Sequence, residues 1–149
     1  MNAEDTARRC AEAMFAKDTA SRDMGIAIEV SEAGSANARM EISAAMVNGL
    51  GVCHGGYIFA LADTAFAFAC NGYGRVTYAA AASIDFVRSA RLGDRLLAEA
   101  SEKYRGRSKG IYDVVVSDQE GRLVALFRGR SHATAEPLIS SSRPNKPSL

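Results

Sequence analysis

The clearest apolar pattern in the chain runs from Tyr57 to Cys70 and contains no Gly or Pro before Gly72. Its Ala, Leu and Phe content predicts a helix that starts near Gly55 or Gly56 and stops at Asn71-Gly72-Tyr73-Gly74. Apolar residues fall on nearly every side of that helix, so it is expected to be buried all round. Just before it, Asn48-Gly49-Leu50-Gly51-Val52-Cys53-His54-Gly55-Gly56 is glycine-rich, which lets a backbone bend and approach a ligand closely.

The rest of the pattern is organised about that helix. Residues 3–17 predict an amphipathic helix, with Ala7, Cys10, Ala11, Met14 and Phe15 on one face and Arg8, Arg9, Glu12 and Lys17 on the other. Residues 25–30 predict a strand, Glu32 to Ser35 a turn, and residues 36–43 an alternating, half-buried strand. Four strands are expected after the central helix, over 77–88, 94–104, 109–118 and 122–134, with turns at Arg91-Leu92-Gly93-Asp94 and Asp118-Gln119-Glu120-Gly121. Residues 136–149 hold all three prolines and little that is apolar, and are expected to be a disordered tail after a single domain over 1–135. Many antiparallel strands with one apolar helix predict an α+β fold in which the sheet curves around the helix. A single sheet covers only one side of a helix, so a partner subunit is expected on the other.

One charge interrupts this apolar helix, Asp63. A buried carboxylate is costly unless something compensates it, and Asp is a poor helix former. Such a residue is either held by hydrogen bonds for packing or marks a site.

Composition narrows the function classes. A net charge of +1 removes any bulk electrostatic case for nucleic acid or an anionic membrane surface. The odd set Cys10, Cys53 and Cys70 has no disulfide-framework or zinc spacing, which points to a reducing, cytoplasmic compartment and to no metal. No apolar run is long enough for a membrane span, and residues 1–20 lack the apolar core of a signal peptide.

Asn48, Cys53-His54-Gly55-Gly56, Leu61-Ala62-Asp63-Thr64-Ala65 and Ala69-Cys70-Asn71 together resemble the hotdog-fold acyl-CoA thioesterases of the phenylacetate-degradation type. Ile84-Asp85-Phe86, Gly110-Ile111-Tyr112-Asp113 and the stretch Ala125 to His132 extend the likeness over roughly residues 10–134. The resemblance implies a hotdog fold, an antiparallel sheet wrapped around a long central helix. It also implies homodimers or a homotetramer built as a dimer of dimers, and hydrolysis of acyl-CoA thioesters with neither metal nor cofactor, coenzyme A being part of the substrate. Under it, Asp63 is the catalytic carboxylate, acting as general base or as nucleophile. The Gly55 N–H, at the positive end of the helix, receives the oxyanion.

The remaining site candidates keep two readings each. His54 either orients the glycine-rich loop or polarises the thioester. Asn48 positions water or the loop, by resemblance. Thr64 positions water or substrate, or bonds back to its own helix. Gly56 and Phe86 are assigned to substrate contact by the resemblance, while Gly56 also fits a plain turn. Arg105, Arg107 and Ser108 sit in a basic hairpin turn that is either a solvated loop or a clamp for coenzyme A phosphates. Phe59, Phe66 and Phe68 are expected in the core, with one or two free to line an aryl pocket. Cys53 beside His54 is a poor nucleophile candidate, because sequence neighbours rarely have the geometry.

His54 and Asp63 stand nine positions apart, roughly 13 Å along a helix, too far for both ends of the motif to touch one thioester within a single chain. Two such helices antiparallel across a two-fold axis remove the difficulty. The function that the resemblance implies is hydrolysis of phenylacetyl-CoA or of related hydroxyphenylacetyl and short acyl-CoA esters. The alternatives are a hotdog enoyl-CoA hydratase or dehydratase, and a non-catalytic acyl-CoA-binding subunit.

Overall fold

The computed structural model of the chain describes residues 1–140. It contains helix α1 (Ala3–Lys17), a short α2 (Thr19–Asp23), strands β1 (Ala27–Glu29) and β2 (Ser35–Glu41), and a 3-10 turn at Ala44–Met46. Then follow the central helix α3 (Gly55–Cys70) and strands β3 (Arg75–Phe86), β4 (Arg95–Arg105), β5 (Lys109–Ser117) and β6 (Leu123–Pro137). The six strands form one antiparallel sheet in the order β1-β2-β4-β5-β6-β3. This is the α+β hotdog fold that the sequence predicts.

The sheet wraps α3 because alternate residues of its strands turn inward. Ala36, Ala38 and Met40 of β2, Leu96, Ala98 and Ala100 of β4, Tyr112, Val114 and Val116 of β5, and Phe127 of β6 are all buried. Against them α3 sets Ile58, Leu61, Phe66 and Phe68, also buried. Each such side chain contributes about 1.5–3 kcal/mol by leaving water. The sheet approaches closely at Gly129, where a Cβ would lie 2.8 Å from the Phe66 ring, so only glycine lets β6 pass there. Phe66 and Phe68 are therefore core residues, and Phe59 packs edge-on against Phe127.

Three expectations change. The helix is not buried all round within one chain: Gly56 is exposed, and Phe59, Ala60, Asp63, Thr64 and Ala67 stay half-buried. These positions recur at helical spacing and define a stripe that the sheet covers only in part, Phe59 meeting β6 through Phe127. The short α2 escaped the pattern because Asp18 starts it locally, its carboxylate accepting the Ser21 N–H at 2.9 Å and the Ser21 hydroxyl at 2.6 Å. The last strand continues past the expected end: Pro137 lies opposite Arg75, and the Leu138 N–H donates to Gly74 O at 2.8 Å. Residues 136–140 thus belong to the fold, and the remainder of the expected tail, 141–149, lies outside the described residues.

Strand β3 closes one side of the sheet. Among the described residues it pairs only with β6, and residues 78–83, including the run Ala79–Ala82, are exposed.

Candidate active site

The loop before α3 is built by Asn48. Its side-chain oxygen accepts the Leu50 and Val52 N–H groups at 2.9 and 3.3 Å, and its own N–H donates to Val52 O at 2.8 Å. The Cys53 N–H donates to Ala90 O and the His54 N–H to Met46 O, both at 2.7 Å. The loop is thereby fixed on two sides, and His54 arrives as the N-cap of α3. His54 Nδ1 accepts the Gly56 N–H at 2.9 Å. In the neutral ring this places the proton on Nε2. Gly56 is thus a capping donor rather than a free one.

The Gly55 N–H is left over. Among the described residues it has no hydrogen-bond partner, and it stands at the positive end of a helix of 16 residues. The ring of Phe86, 54 % exposed, lies against the Cα side of Gly55: a Cβ on residue 55 would lie 3.0 Å from Phe86 Cζ. Gly55, Cys53, Val52, Ile58, Phe86 and Arg88 line a cleft of about 320 Å³ at this end of the helix.

Asp63 lies on the open stripe of α3, about 12 Å from Gly55 by helix rise. No side-chain hydrogen bond or ion pair reaches it among the described residues. Burial, with nothing to offset it, holds its carboxyl above the ordinary aspartate range. Neighbouring Thr64 donates its hydroxyl to Ala60 O at 2.6 Å, which leaves the oxygen's lone pairs as its only free function.

Arg105, Arg107 and Ser108 are at the other end of α3. With Cys70, Thr77 and Lys109 they line a small polar nook. The hairpin is anchored by backbone: Arg75 donates to Arg107 O at 3.1 Å, and the Ala133 N–H to Ser108 O at 2.6 Å. The Arg105, Arg107 and Lys109 side chains form no ion pair among the described residues.

Within one chain the fold therefore brings together Asn48, His54, Gly55, Gly56 and Phe86. It keeps Asp63 and Thr64 one helix segment away and the basic hairpin further still. Burial pushes the Cys53 thiol up to about 11, which removes it as a nucleophile near neutral pH. Among the described residues no group of three or more His, Cys, Asp or Glu side chains is placed to hold a metal ion. Sequence reasoning passed over Arg88, which lines the Gly55 cleft just beyond Phe86. Its only sign in the sequence is adjacency to the end of a strand.

The pattern of the Thioesterase superfamily matches residues 50–125, which takes in the loop, α3 and the strands behind it. The chain belongs to the thioesterase superfamily. It is 44 % identical over 122 residues to the acyl-coenzyme A thioesterase PaaI of Escherichia coli K12, covering 82 % of this chain and 87 % of that protein. The structure of the E. coli PaaI protein from the phenylacetic acid degradation operon superposes with a TM-score of 0.89 at 40 % identity, over 91 % of this chain and 99 % of that one. A Streptococcus mutans UA159 protein bound to acetyl CoA matches with a TM-score of 0.72 at 28 % identity, over 75 % and 90 % of the two chains. As a thioesterase the chain is a hydrolase.

Proposed function

We propose that this thioesterase hydrolyses phenylacetyl-CoA, or closely related hydroxyphenylacetyl and short acyl-CoA esters, to the free acid and coenzyme A. The observation that carries the reading is Asp63: a half-buried carboxylate without a partner on the face of α3 that the sheet covers only in part. The names of the E. coli and S. mutans relatives support the substrate class, since one is called an acyl-CoA thioesterase and the other binds acetyl CoA.

The reading includes a homodimer formed through β3. A long exposed strand edge is a template for another strand, and small alanines leave the approach unobstructed. Antiparallel pairing about an axis near Ala81 would set Thr77 of one protomer beside Asp85 of the other, and Val76 beside Phe86. The hairpin end of one protomer then meets the Gly55 end of its neighbour, and the two open stripes of α3 face each other. Asp63 of one chain and Gly55 of the other complete each site. A dimer of dimers is part of the same proposal, with the exposed Val115 and Leu126 on the outer sheet face as its contact.

In this arrangement the Gly55 N–H binds the carbonyl oxygen of the thioester. Asp63 either removes a proton from water as it attacks the carbonyl carbon or attacks that carbon itself. The C–S electrons leave with coenzyme A as thiolate, and in the second route water then cleaves the anhydride. His54 holds Gly56 and so the pitch of the first helical turn. Asn48 holds the loop, and Arg105, Arg107 and Ser108 grip the phosphates. A cytoplasmic location fits three free cysteines.

The test is release of free thiol from phenylacetyl-CoA, followed with a thiol reagent, beside crotonyl-CoA hydration. Thiol release without hydration is the expected result. Hydration alone, or binding without turnover, would replace the proposal by one of the alternative readings.

A further inference from the structure

The C-terminal end of α3 holds a side-chain cluster that no step above uses. Glu102 Oε1 accepts the hydroxyls of both Tyr73 and Tyr112, each at 2.8 Å. Tyr112 is buried against Phe66 beneath the helix, and Tyr73 is half-buried at the rim. Burial first, and the Glu102 carboxylate second, push Tyr73 up to about 12 and Tyr112 higher, so both remain hydrogen-bond donors across the working pH range. The Arg105 guanidinium sits over the Tyr73 ring, 3.5 Å from its centroid.

The arrangement settles a competition. Glu102 and Arg105 are three positions apart on β4, with a bulge between Glu102 and Tyr104, and both side chains reach Tyr73, so the guanidinium and the tyrosine hydroxyls compete for one carboxylate. Here two tyrosine hydroxyls occupy the carboxylate, and Arg105 makes no ion pair among the described residues. The guanidinium rests on an aromatic face instead. Stacking fixes the plane of the group but leaves its N–H edges free to donate. The support is itself tied to the helix, because the Glu102 N–H donates to Gly34 O at 2.8 Å and the Gly34 N–H to Ala69 O at 2.9 Å.

We propose that Glu102 and Tyr73 are positioning residues that hold Arg105, stacked and unpaired, for the phosphates of coenzyme A. This rests on the reading of the Arg105–Ser108 hairpin as a phosphate clamp. Glu102 supplies the anchor, Tyr73 transmits it, and of these three residues only Arg105 touches ligand.

Affinity for coenzyme A itself, measured by calorimetry, tests the proposal without depending on the acyl group or on turnover. Arg105→Ala is expected to weaken binding about tenfold, the scale of one charge-assisted hydrogen bond. Tyr73→Leu and Glu102→Leu should weaken it by a similar factor, and the double variant Glu102→Leu/Arg105→Ala no more than Arg105→Ala alone. Glu102→Gln, which keeps the accepting oxygen, should restore most of the affinity, whereas Tyr73→Phe, which keeps the ring but loses the bond to Glu102, should be weakened like Glu102→Leu. If Glu102→Leu does not fold, Tyr73→Phe decides, because wild-type affinity in that variant would overturn the anchoring role of Glu102. Wild-type affinity in folded Tyr73→Leu, with Arg105→Ala still weakened, would leave the clamp standing and overturn the positioning role. Unchanged affinity in Arg105→Ala would overturn both.

Discussion

The two ends of α3 are finished in opposite ways. The C-terminal end is tied down by side chains: the Asn71 amide donates to Ala67 O and Thr77 O, and its oxygen accepts the Thr77 N–H, each at 2.9 Å. The Gly34 N–H takes Ala69 O, and Glu102 gathers two tyrosines behind it. At the N-terminal end His54 caps Gly56 but nothing takes the Gly55 N–H, and Asp63, two turns on, has no partner either. The same helix is thus stapled at one end and, among the described residues, left unsatisfied at the end where we propose that the thioester binds. Buried polar groups are normally paired, so the incomplete end is the informative one.

The largest break in this contrast comes from Asp63→Asn. Loss of the carboxylate is expected to lower kcat by about 10²–10⁴-fold. The carboxyl is held above its usual range, so the folded chain binds the proton more tightly than the unfolded one. Stability therefore falls as pH rises from the ordinary aspartate range through the folded-state value. Asn escapes that penalty, and the melting temperature of the variant at neutral pH should hold or rise. A variant keeping more than about a tenth of wild-type turnover would take Asp63 out of the reaction.

Next in size is a complementation that sharpens the same contrast. Asp63→Ala and Gly55→Pro, each inactive, are mixed so that heterodimers form. With Gly55 from one chain and Asp63 from the other, a heterodimer has one intact site, and activity returns to at most about a quarter of wild type for random pairing. Variants that melt normally and exchange chains yet regain nothing would place both groups in one chain.

The stapled end predicts a change in stability instead of chemistry. Asn71→Leu removes the partners of Thr77 N–H and Thr77 O, and should cost about 1–3 kcal/mol in denaturant unfolding. Turnover per folded molecule should stay near wild type. A variant as stable as the parent would show that the staple is dispensable. The smallest effect belongs to Asp113 on the outer sheet face, where the Arg128 guanidinium at 2.6 Å holds the carboxyl below its usual range. Its contribution is present above the ordinary aspartate pKa and is lost as pH falls through the lowered folded-state value. Asp113→Asn should therefore lower stability slightly in the neutral region, leave the acid extreme unchanged, and so flatten the acid limb of the stability curve.

Much of this contrast is written in local sequence. The apolar run with Asp63, the paired glycines and the turn residues after Cys70 mark α3 and both of its ends, because helix propensity and capping act over a few neighbours. Alternation marks the strands of a one-sided sheet for the same reason. What the sequence could not carry is commitment. His54 spends its Nδ1 on Gly56 and Thr64 spends its hydroxyl on Ala60, whereas Gly55 spends nothing, and residue type alone does not distinguish the three. The Phe86 ring against Gly55 and the tyrosines on Glu102 join residues distant in the chain, so only the strand register decides them. The stripe that leaves Asp63 uncovered has the same origin: a helix apolar on every side states that it must be buried, but which side one curved sheet can reach is settled by the path of the strands around it.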